Sequence, residues 1–189
     1  MYIKTQAVVE PISLSEAKAW LKIEEDETIE DSLITSLITA SREWVEKHCN
    51  ICLTTTTIVE HYDCWHRLMY LQRNPIAITS IKYFADDAYS VLSSNVYSLD
   101  LYSSPARILI DSDYSLPVVD NVLNAIELEY TSGFGESPSD VPAQIVQAIR
   151  LKLASMYTHR EDGMPNYIDK YVTASMYLLR DYKMEFARV

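Results

Sequence analysis

Glycine is scarce in this sequence, with only three residues in 189. Loops that cradle phosphate groups need several closely spaced glycines, so a phosphate-binding loop is excluded. The sequence also contains no Gly-x-Ser-x-Gly and no His-Glu-x-x-His motif, and no pair of carboxylates stands out for acid–base chemistry. These absences predict a protein that is not an enzyme and that uses no cofactor.

Cysteine is equally scarce, and the odd number of three favours reduced thiols over a disulfide framework. Cys49 and Cys52 form a Cys-x-x-Cys pair that is followed by Cys64 and His66, and such residues could form a structural zinc site. The spacing argues against this, because Cys64 and His66 alternate on a predicted strand, and because a thiol at a helix end, such as Cys49, is a common packing choice. We predict that no metal binds. The candidate ligands of the less favoured alternative, a small zinc-stabilised interaction module, are Cys49, Cys52, Cys64 and His66.

The sequence has no long apolar run and, over most of its length, little positive charge. No run is long enough to span a membrane, and MYIKTQAVVEPIS at the N-terminus lacks the apolar core of a signal peptide. We therefore expect synthesis in the cytoplasm and no membrane contact. Residues 1–141 carry 9 lysines and arginines against 22 acidic residues, a net charge of −13, whereas residues 142–189 carry 7 against 5, a net charge of +2. Most of such a surface would repel DNA, so specific DNA binding is not expected.

What the sequence does contain is a strongly amphipathic segment at about residues 29–49, which predicts a long helix. Thr28 and Asp31 are predicted to cap its start as a short-acid capping box, and Asn50 suits the left-handed residue that ends a helix. Helical spacing places Arg42 among the polar residues of the outer face. The opposite face is too apolar to remain exposed, and it comprises Leu33, Ile34, Leu37, Ile38, Ser41, Trp44, Val45 and His48.

Two further helices are predicted from their starting signals. Ser13 and Glu16 form a capping box before a short helix at about residues 14–22. Pro142 stands at the first position of a helix at about residues 142–160, where its missing N–H costs nothing. We expect the apolar stripe of this last helix to pack against the long helix, with Trp44 buried between them. The stripe comprises Ile145, Val146, Ile149, Leu153, Met156 and Tyr157.

Between these helices, about residues 53–131 have the pattern of β-strands, with short runs of β-branched and aromatic residues separated by turn signals. Ile126, Leu128 and Tyr130 alternate with polar residues, as in one half-buried strand. No helix of useful length interrupts the region, so the strands are predicted to pair antiparallel. The predicted fold class is α+β: a bundle of two long helices and a short N-terminal helix, with an inserted antiparallel β region and a C-terminal arm.

Tyrosine is abundant, with 14 residues against 3 phenylalanines, and its side chain is favoured at protein–protein contacts. Several of these tyrosines lie in residues 164–189, which follow the last long helix and show no clear core period, although Thr173–Arg180 could form a short helix. We interpret residues 1–163 as a single domain and residues 164–189 as an arm that docks on another chain. The open alternative is a tail that wraps on its own domain. The predicted partner-binding residues are Tyr167, Tyr171, Tyr177, Leu178 and Tyr182.

The order of these segments resembles that of a known protein family. PISLSEAKAWLK at residues 11–22, the acidic linker and Ile34–Glu46 look like the opening of the head–tail connector, or adaptor, proteins of long-tailed double-stranded-DNA bacteriophages. IELEYTSG at residues 126–133 and VPAQIVQAI at residues 141–149 look like the final strand and helix of that family. The resemblance runs through roughly residues 8–162 in order and spacing.

The resemblance implies a connector domain in a structural virion protein at the head–tail junction, with no catalytic residues. It also implies a ring of about twelve copies beneath the portal, which extends the DNA channel and offers a surface to the next head-completion or tail component. DNA would pass through the lumen without specific binding, because rows of phosphate contacts would hold the duplex in place. The residues themselves leave open a monomeric acidic assembly or adaptor protein.

Overall fold

The structure is a computed structural model that describes residues 2–6, 9–159 and 170–184, with side-chain surroundings for residues 9–159 and 174–184. It confirms the predicted α+β class: a short N-terminal helix, two longer helices with antiparallel strands inserted between them, and a short C-terminal helix. Within the described ranges, no helix is both long and apolar enough to cross a membrane.

The chain divides into two compact units, and residues 1–163, which the sequence predicts to be a single domain, contribute to both. Both units are discontinuous along the chain, because the strands are inserted between the second and third helices. The described residues of the helical unit are 9–53, 135–159 and 170–183. Those of the β unit are 2–6, 54–134 and 184.

Helices form where the capping and periodicity signals predict them, within a few residues. Ser13 accepts a hydrogen bond at 3.2 Å from the backbone N–H of Glu16, whose carboxylate accepts one at 2.9 Å from the backbone N–H of Ser13, so the predicted capping box is present. Asn50 adopts the left-handed conformation with φ 56°, which ends the long helix as predicted. The helices of the described chain are α1 (Leu14–Leu21), α2 (Asp31–Cys49), α3 (Ala143–Thr158) and α4 (Lys170–Leu179).

The start of α2 differs from the prediction. The prediction that Thr28 and Asp31 form a capping box is wrong. The N-cap residue is Glu30, and its side chain makes no capping hydrogen bond. The Asp31 carboxylate instead lies 2.5 Å from Lys18 Nζ on α1. Lys18 is almost fully buried, and its ammonium group pairs with Asp31. The Asp31 carboxylate therefore forms an ion pair and does not cap the helix as the local sequence predicts.

Helices α2 and α3 pack against each other, as their two apolar stripes predict. Trp44 is half-buried rather than buried, because the side chains against its ring are those of His48 and Lys152, which are themselves only half-buried. It stacks on His48 with ring centroids 5.2 Å apart, and Lys152 Nζ lies 5.0 Å from a Trp44 ring centroid. The fully buried side chains of the two helices include Ile34, Val45, Ile145, Ile149 and Leu153.

Arg42 is buried, although helical spacing assigns it to the outer face of α2. Its Nε donates to Glu10 at 3.0 Å, and its Nη1 donates to Glu46 at 2.6 Å. Glu46 also accepts a hydrogen bond at 3.0 Å from the backbone N–H of Leu53. Carboxylates from two chain segments therefore neutralise the guanidinium, and this makes its burial tolerable.

The β unit contains two antiparallel sheets, as the pairing prediction requires. One sheet has the strand order β1-β2-β8-β4-β5, and the other has the order β3-β7-β6. Strand β1 is not predicted from the sequence, because a five-residue edge strand offers little periodicity. The strands are β1 (Tyr2–Gln6), β2 (Thr56–Tyr62), β3 (Leu68–Tyr70), β4 (Pro75–Ala85), β5 (Ala88–Val91), β6 (Tyr97–Asp100), β7 (Arg107–Ile110) and β8 (Ile126–Ser132).

The three-stranded sheet has one buried and one exposed face. In one row across it, Met69 and Ile108 are buried. In the next row, Leu68, Leu109 and Ser98 are exposed. This alternation leaves a partly apolar outer face on the β unit.

Candidate interaction surfaces

The tail contributes five predicted partner-binding residues, and the structure describes the side chains of three of them. Tyr177 on α4 is 76% exposed, whereas Leu178 and Tyr182 are half-buried. Tyr171 lies in the first turn of α4 with its side chain outside the described set, and Tyr167 lies outside the described residues. Tyr177 is thus the most openly presented of the three.

Helix α4 also has a buried side within the helical unit. Ser175 and Leu179 are fully buried, and α4 packs along α3. The Leu179 carbonyl oxygen lies 3.9 Å from Sγ of Cys49, the last residue of α2. Positions four residues apart share one face of a helix, so Tyr177 points to the opposite side. The described tail therefore packs on its own unit along one side of α4 and presents Tyr177 to solvent on the other.

The candidate zinc ligands have different surroundings. Cys49 and Cys52 are buried in the helical unit, whereas Cys64 is exposed in the β unit with its Sγ 3.7 Å from His66 Nε2. No group of three or more His, Cys, Asp or Glu side chains within the described ranges is arranged to hold a metal ion. Burial raises the pKa of Cys49 to about 11, which disfavours the thiolate that a metal requires.

We expect a thiol reagent to modify Cys64 rapidly in the native protein, because it is exposed while Cys49 and Cys52 are buried. All three thiols should react in denaturant, and Cys64→Ser should remove the rapid phase.

Elemental analysis of protein purified without chelator should show no stoichiometric zinc. Zinc that survives dialysis and protects Cys64 from the reagent would contradict this prediction.

Glu60 is a buried carboxylate in the β unit that could suggest acid–base chemistry. One of its oxygens accepts hydrogen bonds from the Tyr130 hydroxyl at 2.6 Å and the Gln72 backbone N–H at 3.1 Å. The other accepts one from the Tyr62 hydroxyl at 2.9 Å. Burial, and secondarily the Glu60 charge, raise the pKa of Tyr62, so the Tyr62 hydroxyl keeps the proton that it donates to Glu60. Since both carboxylate oxygens are engaged within the fold, Glu60 ties β2 to β8 and does not face a substrate.

The loop between β6 and β7 presents an exposed aromatic residue on an ordered turn. Asp100 Oδ1 accepts hydrogen bonds from the backbone N–H groups of Tyr102 at 3.0 Å and Ser103 at 3.3 Å. Its Oδ2 accepts from the Ser103 hydroxyl at 2.7 Å and from Arg107 Nε at 2.8 Å. These two donors lower the pKa of Asp100 to about 2, so the turn keeps its charged acceptor at neutral pH. Tyr102 is fully exposed at the tip, beside the partly exposed Leu101.

An open cavity of about 380 Å³ lies at the other end of the same two strands. Arg67 forms part of its wall, where its guanidinium donates to the backbone oxygens of Asp111 at 2.5 Å and Tyr114 at 3.2 Å. Leu109 supplies an apolar surface that is 53% exposed. The lining residues include Arg67, Asn95, Val96, Tyr97, Ser98 and Leu109.

Neither Tyr102 nor this cavity is predicted from the sequence as a functional feature. The sequence does contain a signal for the turn. Asp100 precedes Tyr102 by two residues and Ser103 by three, and an aspartate commonly accepts hydrogen bonds from backbone N–H groups at this spacing. Nothing local in the sequence marks the cavity, because its walls come from β6, β7 and the segment around Arg67, which is remote in sequence.

Comparison with known proteins gives one family and one recurrent fold. Residues 11–86 match the model of the family described as phage gp6-like head-tail connector protein. No protein of curated function matches the sequence. The family match overlaps the opening segments that carry the resemblance in the sequence.

Three solved structures with this fold come from gene transfer agent (GTA) particles. A chain in the neck of the empty GTA particle, computed with C6 symmetry, has a TM-score of 0.78 at 20% identity. A chain in the virion of the native particle has a TM-score of 0.78 at 19% identity. A chain in the neck of the native particle, computed with C12 symmetry, has a TM-score of 0.73 at 20% identity. Each match covers 99% of this chain and 97% of the other.

Proposed function

We propose that this chain, a member of the phage gp6-like head-tail connector family through its residues 11–86, forms a ring beneath the portal of a phage-like particle. The family is structural and not enzymatic, as the lack of catalytic motifs in the sequence predicts. The proposal rests on two findings that agree. Residues 11–86 match the connector family, and the fold of a GTA neck chain matches 99% of this chain. In the ring, the chain would extend the DNA channel and provide a surface for the next head-completion or tail component.

The pairing of charges supports a channel through which DNA passes without specific binding. Lys18 pairs with Asp31 at 2.5 Å, Arg42 with Glu46 at 2.6 Å, and Lys82 with Glu127 at 2.7 Å. Contacts to phosphate need positive side chains that are available to the duplex. Here these three are neutralised within the chain, whose net charge is −11.

The proposed partner surface is the exposed side of the tail. Tyr177 is the described anchor, with Leu178 and Tyr182 beside it. Tyr167 and Tyr171 complete the set that the sequence predicts. Aromatic anchors on a short helix could insert into a groove of the portal or of a neighbouring subunit. This surface would fix the ring to its partner, while the buried side of α4 holds the tail on its own unit.

We expect the free chain to be largely monomeric and to assemble when purified portal rings of the same particle are added. A head-to-tail contact that closes on a portal should saturate at one chain per portal subunit, about twelve in all. Native mass spectrometry of the mixture, with electron microscopy of the same sample, measures this number. Saturation at one or two chains per portal ring would contradict the ring and favour a monomeric adaptor.

A further inference from the structure

The β6–β7 hairpin carries two features of complementary shape at its opposite ends. Tyr102 protrudes at the tip, and the cavity lined by Asn95, Ser98 and Leu109 lies at the base. The four-residue strands between them span about 13 Å, so the tip of a chain cannot enter its own cavity.

We propose that Tyr102 of one copy inserts into the hairpin-base cavity of the neighbouring copy. This inference rests on the proposed ring and identifies a contact that would build it. The two patches differ and do not overlap, so each copy can use its tip and its cavity at the same time. A contact of this heterologous kind closes a ring when the rotation permits. The occupant is a second copy of this chain, because the proposed ring brings identical copies side by side and each copy carries both a tip and a cavity.

The tip is prepared for insertion. A fully exposed tyrosine on a mobile loop would lose much freedom on binding, but the Asp100 hydrogen bonds already order the backbone of Tyr102 and Ser103. Binding therefore has to order little beyond one aromatic side chain. Tyrosine is also among the residue types that dominate the energetics of interfaces.

The cavity has the chemistry that a tyrosine side chain requires. Its volume of about 380 Å³ lies at the lower end of the range of about 300–1,000 Å³ that is typical of small-molecule pockets, which is enough to accommodate a single aromatic side chain. Leu109 and Val96 offer apolar contact to the ring, and the planar guanidinium of Arg67 can stack on it. Asn95 and Ser98 can bond to the phenolic hydroxyl.

Disulfide trapping tests the contact directly. In a Cys64→Ser background, the double variant Tyr102→Cys/Asn95→Cys is bound to portal rings and oxidised mildly. A disulfide requires Cα atoms within about 7 Å, so these two positions cannot link within one hairpin. We expect a ladder of covalent multimers on a non-reducing gel, whereas an equal mixture of the two single variants should stop at dimers. Tyr89→Cys/Asn95→Cys is the matched control, since Tyr89 is an exposed tyrosine of a different hairpin.

The outcomes separate the inference from the ring itself. If the control pair gives as strong a ladder as the Tyr102 pair, or if neither gives one, Tyr102 does not enter the cavity. Tyr102→Ala should reduce the number of chains per portal at least tenfold at a concentration that just saturates the wild type, and Tyr102→Phe should restore most of it. Full occupancy by Tyr102→Ala would overturn the inference and leave the ring standing. Failure of the wild type to fill the portal would overturn the ring, and the inference with it.

Discussion

Replacing Ile149 with alanine is expected to lower the free energy of unfolding of the helical unit by about 2–4 kcal/mol. Ile149 is fully buried on α3, the helix that packs on α2. The substitution removes buried methyl and methylene groups and leaves a cavity, because neighbouring isoleucine and leucine side chains can collapse into the space only in part. The loss should appear as a lower midpoint in urea with an unchanged slope, measured by circular dichroism.

Val146→Ala is the matched control for this prediction, since Val146 lies on the same helix but is only half-buried. It removes less buried surface, so its effect should be clearly smaller. A change below half a kcal/mol for Ile149→Ala, or equal effects for both variants, would show that α3 does not pack on α2 through this stripe. Because the chain has two compact units, the helical signal should be followed separately from the β-sheet signal.

The helices and their packing could be predicted because their signals are local. The stripe of α3 recurs at helical spacing, and the capping box of Ser13 and Glu16 lies within four residues. The strands could be assigned for the same reason, since alternation in β8 is visible in the sequence alone. In the structure, Ile126, Leu128 and Tyr130 are indeed fully buried.

The charged residues of α2 could not be assigned in this way. Arg42 is buried because Glu10 lies beside it, 32 positions earlier in the chain. Asp31 leaves the predicted cap because Lys18 of α1 is close enough to pair with it. Both outcomes depend on the approach of separate segments, and helical periodicity carries no information on that approach. Helical spacing that places a charged residue on the outer face therefore does not reliably predict that its side chain is exposed.

The candidate surfaces show the same division. The excess of tyrosine over phenylalanine indicates contacts with other chains, but it does not show which tyrosines are exposed. Tyr130 is fully buried and donates to Glu60, whereas Tyr102 and Tyr177 are among the most exposed apolar side chains. The distinction depends on strand register and on the turn that Asp100 organises. Neither can be obtained from composition.

The two sides of α4 are expected to respond to substitution in different ways. Leu179→Ala should cost about 2–4 kcal/mol, because Leu179 is fully buried in the helical unit. Tyr177→Ala should leave the urea midpoint nearly unchanged, because the side chain is 76% exposed and surface substitutions usually change stability little. On the proposed docking role, Tyr177→Ala should nevertheless weaken attachment to portal rings by about thirtyfold, the loss of an interface anchor worth about 2 kcal/mol.

Pairing a denaturant melt with portal binding for each variant separates these roles. Met176→Ala is the control on the same helix, since Met176 is also exposed but is not in the predicted partner-binding set. Met176→Ala should change neither the urea midpoint nor the affinity for portal rings strongly. If Tyr177→Ala binds portal as the wild type does, the docking surface lies elsewhere on the chain. If Leu179→Ala melts like the wild type, α4 is not part of the helical core, and deletion of residues 164–189 should then leave the melt intact, as a separable arm requires.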